Sequence, residues 1–298
     1  MGLYRALAVA ATAAVAFSGM ARAADLLPPP PPPAPYAAPY EASDSGWYLR
    51  GDVGVGMTHL SSFNPTFPGP GTVTGAGVDF ASIDSGAYID GGVGYQFNNW
   101  FRADVTAEYR GSTAFRGSES YTGTQAGPPA TYTGHDYYTS SIAHTLALVN
   151  GYVDLGTWSR LTPFVGAGLG MSYNMVSGLT DIGYGSSGTA GQGNGGGGYA
   201  ANHGNFSFAW ALMAGLDYRV NSNLKLELGY RYLNMGRAKS ASIVCQGVAP
   251  ATCPNEVQSY NLSSHDLHLG MLWTFGGEAH TQPVAWEPAP QEPIVKRF

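Results

Sequence analysis

Residues 101–111 read FRADVTAEYRG, a stretch in which apolar and mostly charged side chains alternate with a period of two. Successive side chains of an extended strand point to opposite faces, so one face of this stretch is apolar and the other is charged. The alternation predicts a β-strand rather than a helix. A soluble sheet turns its apolar face toward a protein core, whereas a membrane barrel turns that face toward lipid and packs its charges inside. The rest of the sequence has to distinguish these two arrangements.

The N-terminal residues predict export. Residues 1–23 have a positively charged start, an apolar run too short for a stable membrane helix, and an Ala-Arg-Ala cleavage site that ends at Ala23. This pattern is typical of a secretory signal peptide, and cleavage there gives a mature chain that begins Ala24-Asp25. No later stretch has the long apolar run of a membrane helix, so we expect any membrane-spanning part to be a barrel.

Composition favours an exported all-β chain. The 298 residues include 42 Gly, 19 Tyr and 12 Phe, and only 11% are charged, which is typical of strands and loops rather than soluble helices. The net charge of -6 gives no reason to expect nucleic-acid binding. We predict a signal peptide at residues 1–23, a proline-rich periplasmic tail at 24–45, one barrel domain at 46–275 and a periplasmic C-terminal tail at 276–298.

Eight strands are predicted from the alternation, of which the fourth is apolar on both faces and cannot be assigned an inward side. Short links follow the second, fourth and sixth strands, whereas long polar links follow the others. This asymmetry is typical of an outer-membrane barrel with its long loops outside, and aromatic residues gather at the short-turn ends as an interfacial girdle requires. The strands are residues 47–57, 87–97, 101–111, 140–153, 163–174, 207–220, 224–232 and 266–275, and the long loops are 59–82, 112–138, 177–205 and 236–261.

The chain resembles the small porin-like outer-membrane proteins of alphaproteobacteria, whose barrels are similar to that of OmpA. The segments that carry the resemblance are GWYLRGDVGVG (46–56), LTPFVGAGLGMSY (161–173) and ELGYRYLNMG (227–236). The resemblance implies an all-β fold, an eight-stranded antiparallel transmembrane β-barrel. It also implies contact with outer-membrane lipid and lipopolysaccharide.

The last predicted strand ends in HLGMLWTF (268–275), which resembles the insertion signal that the barrel assembly machinery reads. Gly270, Trp273 and Phe275 occupy the signal positions. Members of the resembled family commonly end at this aromatic residue, whereas this chain continues to Phe298.

Strand parity places thirteen charged residues in the barrel interior, seven acids and six bases, so the two signs nearly balance. The interior of an eight-stranded barrel is just wide enough for side chains to fill it, and a lone buried charge is costly. Pairing of these groups predicts a closed, salt-bridged plug, with a small-solute porin as the alternative. The thirteen are Arg50, Asp52, Asp90, Arg102, Asp104, Glu108, Arg110, Asp217, Arg219, Lys225, Glu227, Arg231 and Asp266.

No catalytic constellation is found, so we predict neither an enzyme nor a cofactor. His144 and His268 lie in predicted strands without a nucleophile motif, which indicates structural roles. An alternative hypothesis is a haem or metal site, because convergent His and Tyr ligate iron and some members of the resembled family are haemin-binding. Its candidate ligands are His59, His135, His203 and His265.

The two cysteines of the chain, Cys245 and Cys253, lie in the last predicted long loop. The compartment outside the inner membrane is oxidising, which favours a local disulfide between them.

The N-terminal tail predicts a role in the cell envelope. Its proline run, residues 28–33, favours an extended polyproline spacer that rises on the order of 3.1 Å per residue. In related barrels a similar Ala-Asp start is joined to the cell wall by transpeptidation, so the resemblance implies that the Ala24 amine, followed by Asp25, accepts peptidoglycan. The predicted function is therefore a structural barrel that stabilises the envelope, with the porin and haem-binding functions as alternatives.

Overall fold

The computed structural model describes residues 45–67, 73–124, 131–186, 196–246 and 255–275. No helix long and apolar enough to cross a membrane occurs among these residues. Their strands are β1 (Gly46–Thr66), β2 (Val73–Ile83), β3 (Gly86–Gln96), β4 (Phe101–Thr124), β5 (Thr131–Asp154), β6 (Leu161–Ser186), β7 (Gly197–Ala200), β8 (His203–Arg219), β9 (Leu224–Lys239), β10 (Ile243–Gln246) and β11 (Val257–Thr274).

Eight of these strands close into an antiparallel ring. The order around the ring is β1, β3, β4, β5, β6, β8, β9 and β11, and β11 pairs back onto β1. β2 pairs with β4 above β3, while β7 pairs with β6 and β10. The ring confirms the predicted eight-stranded antiparallel barrel, because closure of the sheet removes its free edges.

The two ends of the barrel differ. The links at residues 97–100, 155–160 and 220–223 are short, and the first and last strands of the ring also begin and end on this side, which we call the turn end. Asn98 Oδ1 accepts hydrogen bonds from the backbone N–H groups of Trp100 and Phe101 at 3.0 and 2.8 Å, and Asn221 forms an equivalent turn. Such Asx turns fix tight hairpins.

The residues predicted to be long loops are in large part strand, so that part of the prediction is wrong. β4 continues to Thr124, and β5 begins at Thr131. The sequence signal fails here because an outward face beyond the membrane need not be apolar, so the alternation fades. We call this upper part the extension, and it comprises residues 59–66, 73–84, 112–124, 131–143, 174–186, 197–200, 203–206, 236–246 and 255–263.

A bulge in β4 changes which residues face inward. Arg110 and the even-numbered residues before it face inward, whereas Thr113, Phe115 and Glu119 do so beyond the bulge. One extra residue shifts the alternation by one position. Further register shifts lie near the boundary between barrel and extension, at Leu60/Ser62, Thr139/Ser141 and Leu262/Ser263.

The outward face of the barrel is an apolar band that ends in an aromatic belt at the turn end. The rings of Trp47 and Tyr95 lie 5.3 Å apart, and those of Tyr95 and Phe97 lie 5.1 Å apart. An exposed apolar band of this extent is typical of a lipid-facing surface. Its members include Leu49, Val53, Val55, Ile89, Val93, Val105, Val149, Val165, Leu169, Leu212, Leu226, Leu228, Leu267 and Leu269.

Candidate functional site: a closed lumen

The lower part of the lumen is built around Arg50. Its guanidinium group forms ion pairs with Asp52 at 2.8 Å, Asp104 at 3.0 Å and Glu227 at 2.9 Å. The Tyr152 hydroxyl accepts a further hydrogen bond from Arg50 at 2.6 Å. Because Arg presents five donors in a rigid fork, one side chain can join several strands.

Arg102 joins the same layer to the turn end. It pairs with Asp217 at 3.1 Å, Glu227 at 3.3 Å and Asp154 at 3.4 Å, and its side chain is fully buried. The guanidinium carbon also lies 4.8 Å from the ring centroids of both Tyr152 and Phe164. Packing against two aromatic rings and three carboxylates fills the space that a pore would need.

A second charged layer lies above the first. Arg231 pairs with Glu108 and, at 2.9 Å, with Asp266, while Arg110 binds the same two carboxylates. Both guanidinium groups lie against the ring of Tyr88, at 4.5 Å for Arg110 and 4.8 Å for Arg231. The lumen therefore contains two connected levels of ion pairs.

Inward-facing glycines make room for this network. A Cβ atom at Gly270 would lie 2.0 Å from Asp52 Oδ1, and one at Gly229 would lie 2.3 Å from the His268 ring. Small residues opposite large ones allow a narrow barrel to be filled without overlap. Gly270 thus has a packing role in addition to its position in the predicted assembly signal, whose Trp273 and Phe275 face outward at the turn end.

Above the charged layers, aromatic side chains close the lumen, and we call this group the aromatic cover. It consists of Phe63, Phe115, Tyr138 and Tyr260, all of which are buried. Phe115 contacts Phe63 at a ring-centroid distance of 5.1 Å and Tyr260 at 4.8 Å. The cover continues into a wider apolar cluster that includes Ile142, Leu146, Val176, Leu179, Leu233, Met235 and Leu262.

Most of the predicted lumen charges lie inside the barrel. Eleven are buried, whereas Arg219 and Lys225 are half-buried near the turn end. The sequence analysis missed Asp154, because the fourth predicted strand also directs Leu146 and Leu148 inward and so shows no alternation. Below the extension, the buried charges are thus eight carboxylates and four arginines, a larger acidic excess than the predicted near balance: Arg50, Asp52, Asp90, Arg102, Asp104, Glu108, Arg110, Asp154, Asp217, Glu227, Arg231 and Asp266.

The structure places the four candidate haem ligands on four strands, of which β1 and β11 are paired and hold His59 and His265 two register positions apart. His59, His135, His203 and His265 lie on β1, β5, β8 and β11 with their side chains exposed. Within the described ranges, none belongs to a group of three or more potential metal ligands. His135 Nδ1 lies 3.6 Å from an Asp79 carboxylate oxygen, and His265 Nδ1 lies 2.7 Å from the Tyr230 hydroxyl.

His144 and His268 are buried in the lumen. His144 Nδ1 lies 2.7 Å from Asn174 Oδ1, and His268 Nε2 lies 3.0 Å from Glu227 Oε1. Both contacts are with side chains of the barrel interior, as expected of residues with structural roles.

The predicted disulfide lies partly outside the described residues, and the predicted attachment site and C-terminal tail lie wholly outside them. Cys245 lies on β10 and is disulfide-bonded, while its predicted partner, Cys253, is outside the described part of the chain. Ala24 and Asp25, and the tail at residues 276–298, are also outside it.

The apolar outward band, the turn-end belt and the filled lumen define a small membrane barrel with a closed interior. Residues 8–275 match the family described as the outer membrane protein beta-barrel domain. The chain belongs to this family, and its location is the bacterial outer membrane.

Individual relatives and solved structures are similar over most of the chain. An uncharacterised protein of Brucella abortus (strain 2308) is 33% identical over 239 residues, covering 77% of this chain and 81% of the relative. A Rickettsia felis protein named "Putative adhesin" is 29% identical over 229 residues, covering 73% of this chain and 85% of the relative. The crystal structure of OprG from Pseudomonas aeruginosa matches with 15% identity and a TM-score of 0.45, covering 78% of this chain and 97% of OprG.

Proposed function

We propose that this protein is a closed, non-enzymatic structural barrel that stabilises the bacterial envelope. The observation that carries the proposal is the filled lumen. Arg102 on β4 joins the opposite wall through Glu227 on β9, Arg50 on β1 pairs with the same carboxylate, and the aromatic cover lies above them. A solute would have to separate buried ion pairs and then cross an apolar layer, and both steps are costly.

A conductance measurement tests this proposal against the porin alternative. Purified protein is reconstituted in a planar bilayer, with a known general porin as the positive control. The closed lumen predicts almost no steady conductance. Reproducible large steps from pure, folded protein would instead support the small-solute porin.

The envelope role extends to attachment through the N-terminal tail. β1 begins at the turn end, which is the periplasmic end of barrels with short periplasmic turns. The chain therefore enters β1 from the side of the cell wall, which supports Ala24 as the acceptor amine. Detergent-boiled cell walls are digested with muramidase, and the N-terminal peptide is examined for added muropeptide mass. An unmodified Ala24 peptide in all wall-associated protein would contradict the tether.

A second candidate function is adhesion through the extension, which stands on the extracellular side. Its outward face carries exposed apolar residues well beyond the lipid-facing band. At that height water contacts these residues unless another molecule covers them. The rings of Tyr137 and Tyr184 lie 5.8 Å apart, and Ile182 lies opposite Tyr137 in the sheet. Rickettsia relatives that carry an adhesin name are consistent with this candidate.

The adhesion candidate is tested with whole cells that display the protein. An Ile182→Ser/Tyr184→Ser variant is compared with wild type for attachment to cultured host cells, and Val149→Ser in the lipid-facing band serves as the control. We expect attachment to fall only in the extension variant. Equal attachment of all three strains at equal surface abundance would remove this candidate.

A further inference from the structure

The extension contains an acidic cluster formed by Glu119, Asp136, Asp181 and Glu256. Carboxylate oxygens of Glu119, Asp136 and Glu256 all lie within 4.8 Å of one another. Glu119 and Asp136 are cross-strand partners on β4 and β5, and Asp181 lies on β6. Glu119 is ten residues beyond Tyr109 of the lipid-facing band, on the order of 30 Å along the strand, so the cluster is outside the membrane.

Glu119 is the member of the cluster that most requires a ligand. It has no solvent exposure, and both of its carboxylate oxygens lack a hydrogen-bond partner in the structure. The Tyr138 hydroxyl faces Glu119 and also lies 2.9 Å from Glu256 and 3.4 Å from Asp136, so three carboxylates share its single proton. A buried carboxylate without a donor or a counter-charge is costly.

The surrounding chain supplies almost no positive charge. No ion pair among the described residues includes Glu119, Asp181 or Glu256, and His135 is the basic side chain that favours the charged form of Asp136. Arg116, on the same strand as Glu119, pairs with Asp84 on the exposed face. The sequence segments 68–72, 125–130, 187–195 and 247–254 contain no Lys, Arg or His.

The remaining geometry suits a bound cation. A Cβ atom at Gly183 would lie 2.6 Å from Asp136 Oδ1, so glycine there leaves space for the carboxylate. Gln258 Nε2 donates to Glu256 Oε1 at 2.8 Å and holds that side chain in place. Asp136 and Asp181 are half-buried, which provides an entry path from solvent.

We propose that the acidic cluster binds a calcium ion. Three carboxylates within 4.8 Å of one another supply only oxygen ligands, which calcium prefers, and water can complete a flexible site of six to eight oxygens. Asp181, opposite Tyr138 in the sheet, adds a nearby negative charge. The ion would neutralise Glu119 and join β4, β5, β6 and the segment that leads into β11. Its second effect is therefore to hold the extension together above the aromatic cover.

A second group of potential ligands among the described residues does not fit this role. Asp52, Glu227 and His268 also place potential ligands within 4.8 Å of one another. Arg50, however, already forms ion pairs with both carboxylates. A cation there would have to displace a buried guanidinium group.

Calcium titration of the folded, full-length mature protein tests the proposal. Protein in a zwitterionic detergent is freed of metal with a chelator and titrated with CaCl₂ by calorimetry. We expect about one ion per chain with a Kd in the range of about 0.1–1 mM that extracellular calcium modules show. Glu119→Gln should weaken binding at least tenfold, whereas Asp84→Asn, an exposed acid of the extension, should leave it unchanged.

A second measurement keeps the test decisive if a variant folds poorly. Without calcium, Glu119→Gln removes a buried charge and should make the extension more resistant to protease than wild type, while calcium should protect wild type alone. The proposal is overturned if wild type shows no saturable binding up to about 10 mM, well above the extracellular range. It is equally overturned if Glu119→Gln binds calcium as wild type does.

Discussion

The lumen and the acidic cluster both bury carboxylates, yet they satisfy them in different ways. In the lumen, Glu227 pairs with Arg50 and Arg102, which reach it from other strands. In the extension, Glu119 faces further carboxylates, forms no ion pair with a described base, and shares the Tyr138 hydroxyl with two of those carboxylates. The lumen thus receives its cations from within the chain, whereas we propose that the acidic cluster of the extension takes its cation from solution. The carboxylates of the lumen, which pair with arginines, form a structural plug, whereas those of the extension form a candidate binding site.

The largest expected effect comes from removing an arginine of the ion-pair network in the lumen. Arg102→Met keeps much of the side-chain volume against Tyr152 and Phe164 but leaves Asp154, Asp217 and Glu227 without a shared cation. Removing one partner of a buried ion pair costs about 3–5 kcal/mol. We expect a loss of that size in the free energy of unfolding, measured by denaturant titration of protein folded in lipid vesicles.

The matched control for this change is Arg116→Met. Arg116 pairs with Asp84 at 3.4 Å, and both side chains are more than half exposed. Exposed pairs contribute about 0–1 kcal/mol, so the control should be nearly neutral. Equal effects of the two substitutions would contradict the assignment of Arg102 as the centre of the plug.

The aromatic cover separates the two regions, and Phe115→Ala tests it. Phe115 is fully buried against Phe63 and Tyr260, so truncation should cost about 3 kcal/mol in the free energy of unfolding. Conductance should remain low, because the ion-pair layers below are unchanged. The lipid-facing Phe208→Ala serves as the control and should cost less. An open channel in Phe115→Ala would show that the cover, not the charged network, closes the lumen.

Gly270→Ala tests how tightly the lumen is filled. The added methyl group would overlap Asp52 Oδ1, and overpacking of this kind costs about 1–3 kcal/mol. At Gly91, which faces outward, the nearest atom to an added Cβ is 3.8 Å away, so Gly91→Ala should be nearly neutral. Denaturant midpoints of the two variants provide the comparison. A neutral Gly270→Ala would mean that Asp52 moves freely and that the network is looser than its distances indicate.

The lumen is easier to predict from the sequence than the extension, for a physical reason. Lipid favours apolar residues at the outward positions of the barrel, so Arg102 and Asp104 are recognisable by parity alone. That constraint ends at the membrane surface, and the bulge after Arg110 then reverses parity. Glu119 and Glu256, the buried acids of the extension, therefore lay in segments read as loops. Their one sequence signal is the shortage of Lys and Arg around them.

The acidic cluster also has an expected pH dependence. Burial, the largest cause in each case, raises the pKa of Glu119 to about 7, of Asp136 to about 6, of Asp181 to about 8 and of Glu256 to about 9. The facing Tyr138 hydroxyl lowers the pKa of Glu119, Asp136 and Glu256 in part, and His135 lowers that of Asp136. Each folded-state pKa nevertheless stays above the ordinary carboxyl value near 4.

The smallest expected effect is a pH-dependent loosening of the extension. Because the folded cluster binds protons more tightly than the unfolded chain, its contribution to stability is complete below about pH 4 and is lost as pH rises through about 6–9. The measurement is hydrogen exchange of backbone amides in the presence of a chelator, corrected for intrinsic exchange rates. Protection of the extension amides should fall severalfold between pH 5 and pH 9. Protection of the lumen amides should stay constant. Calcium should remove the fall, because it replaces the lost protons, and Glu119→Gln should reduce it. Protection that rises with pH in chelator would show that the carboxylates are already compensated and that the two regions do not differ as described.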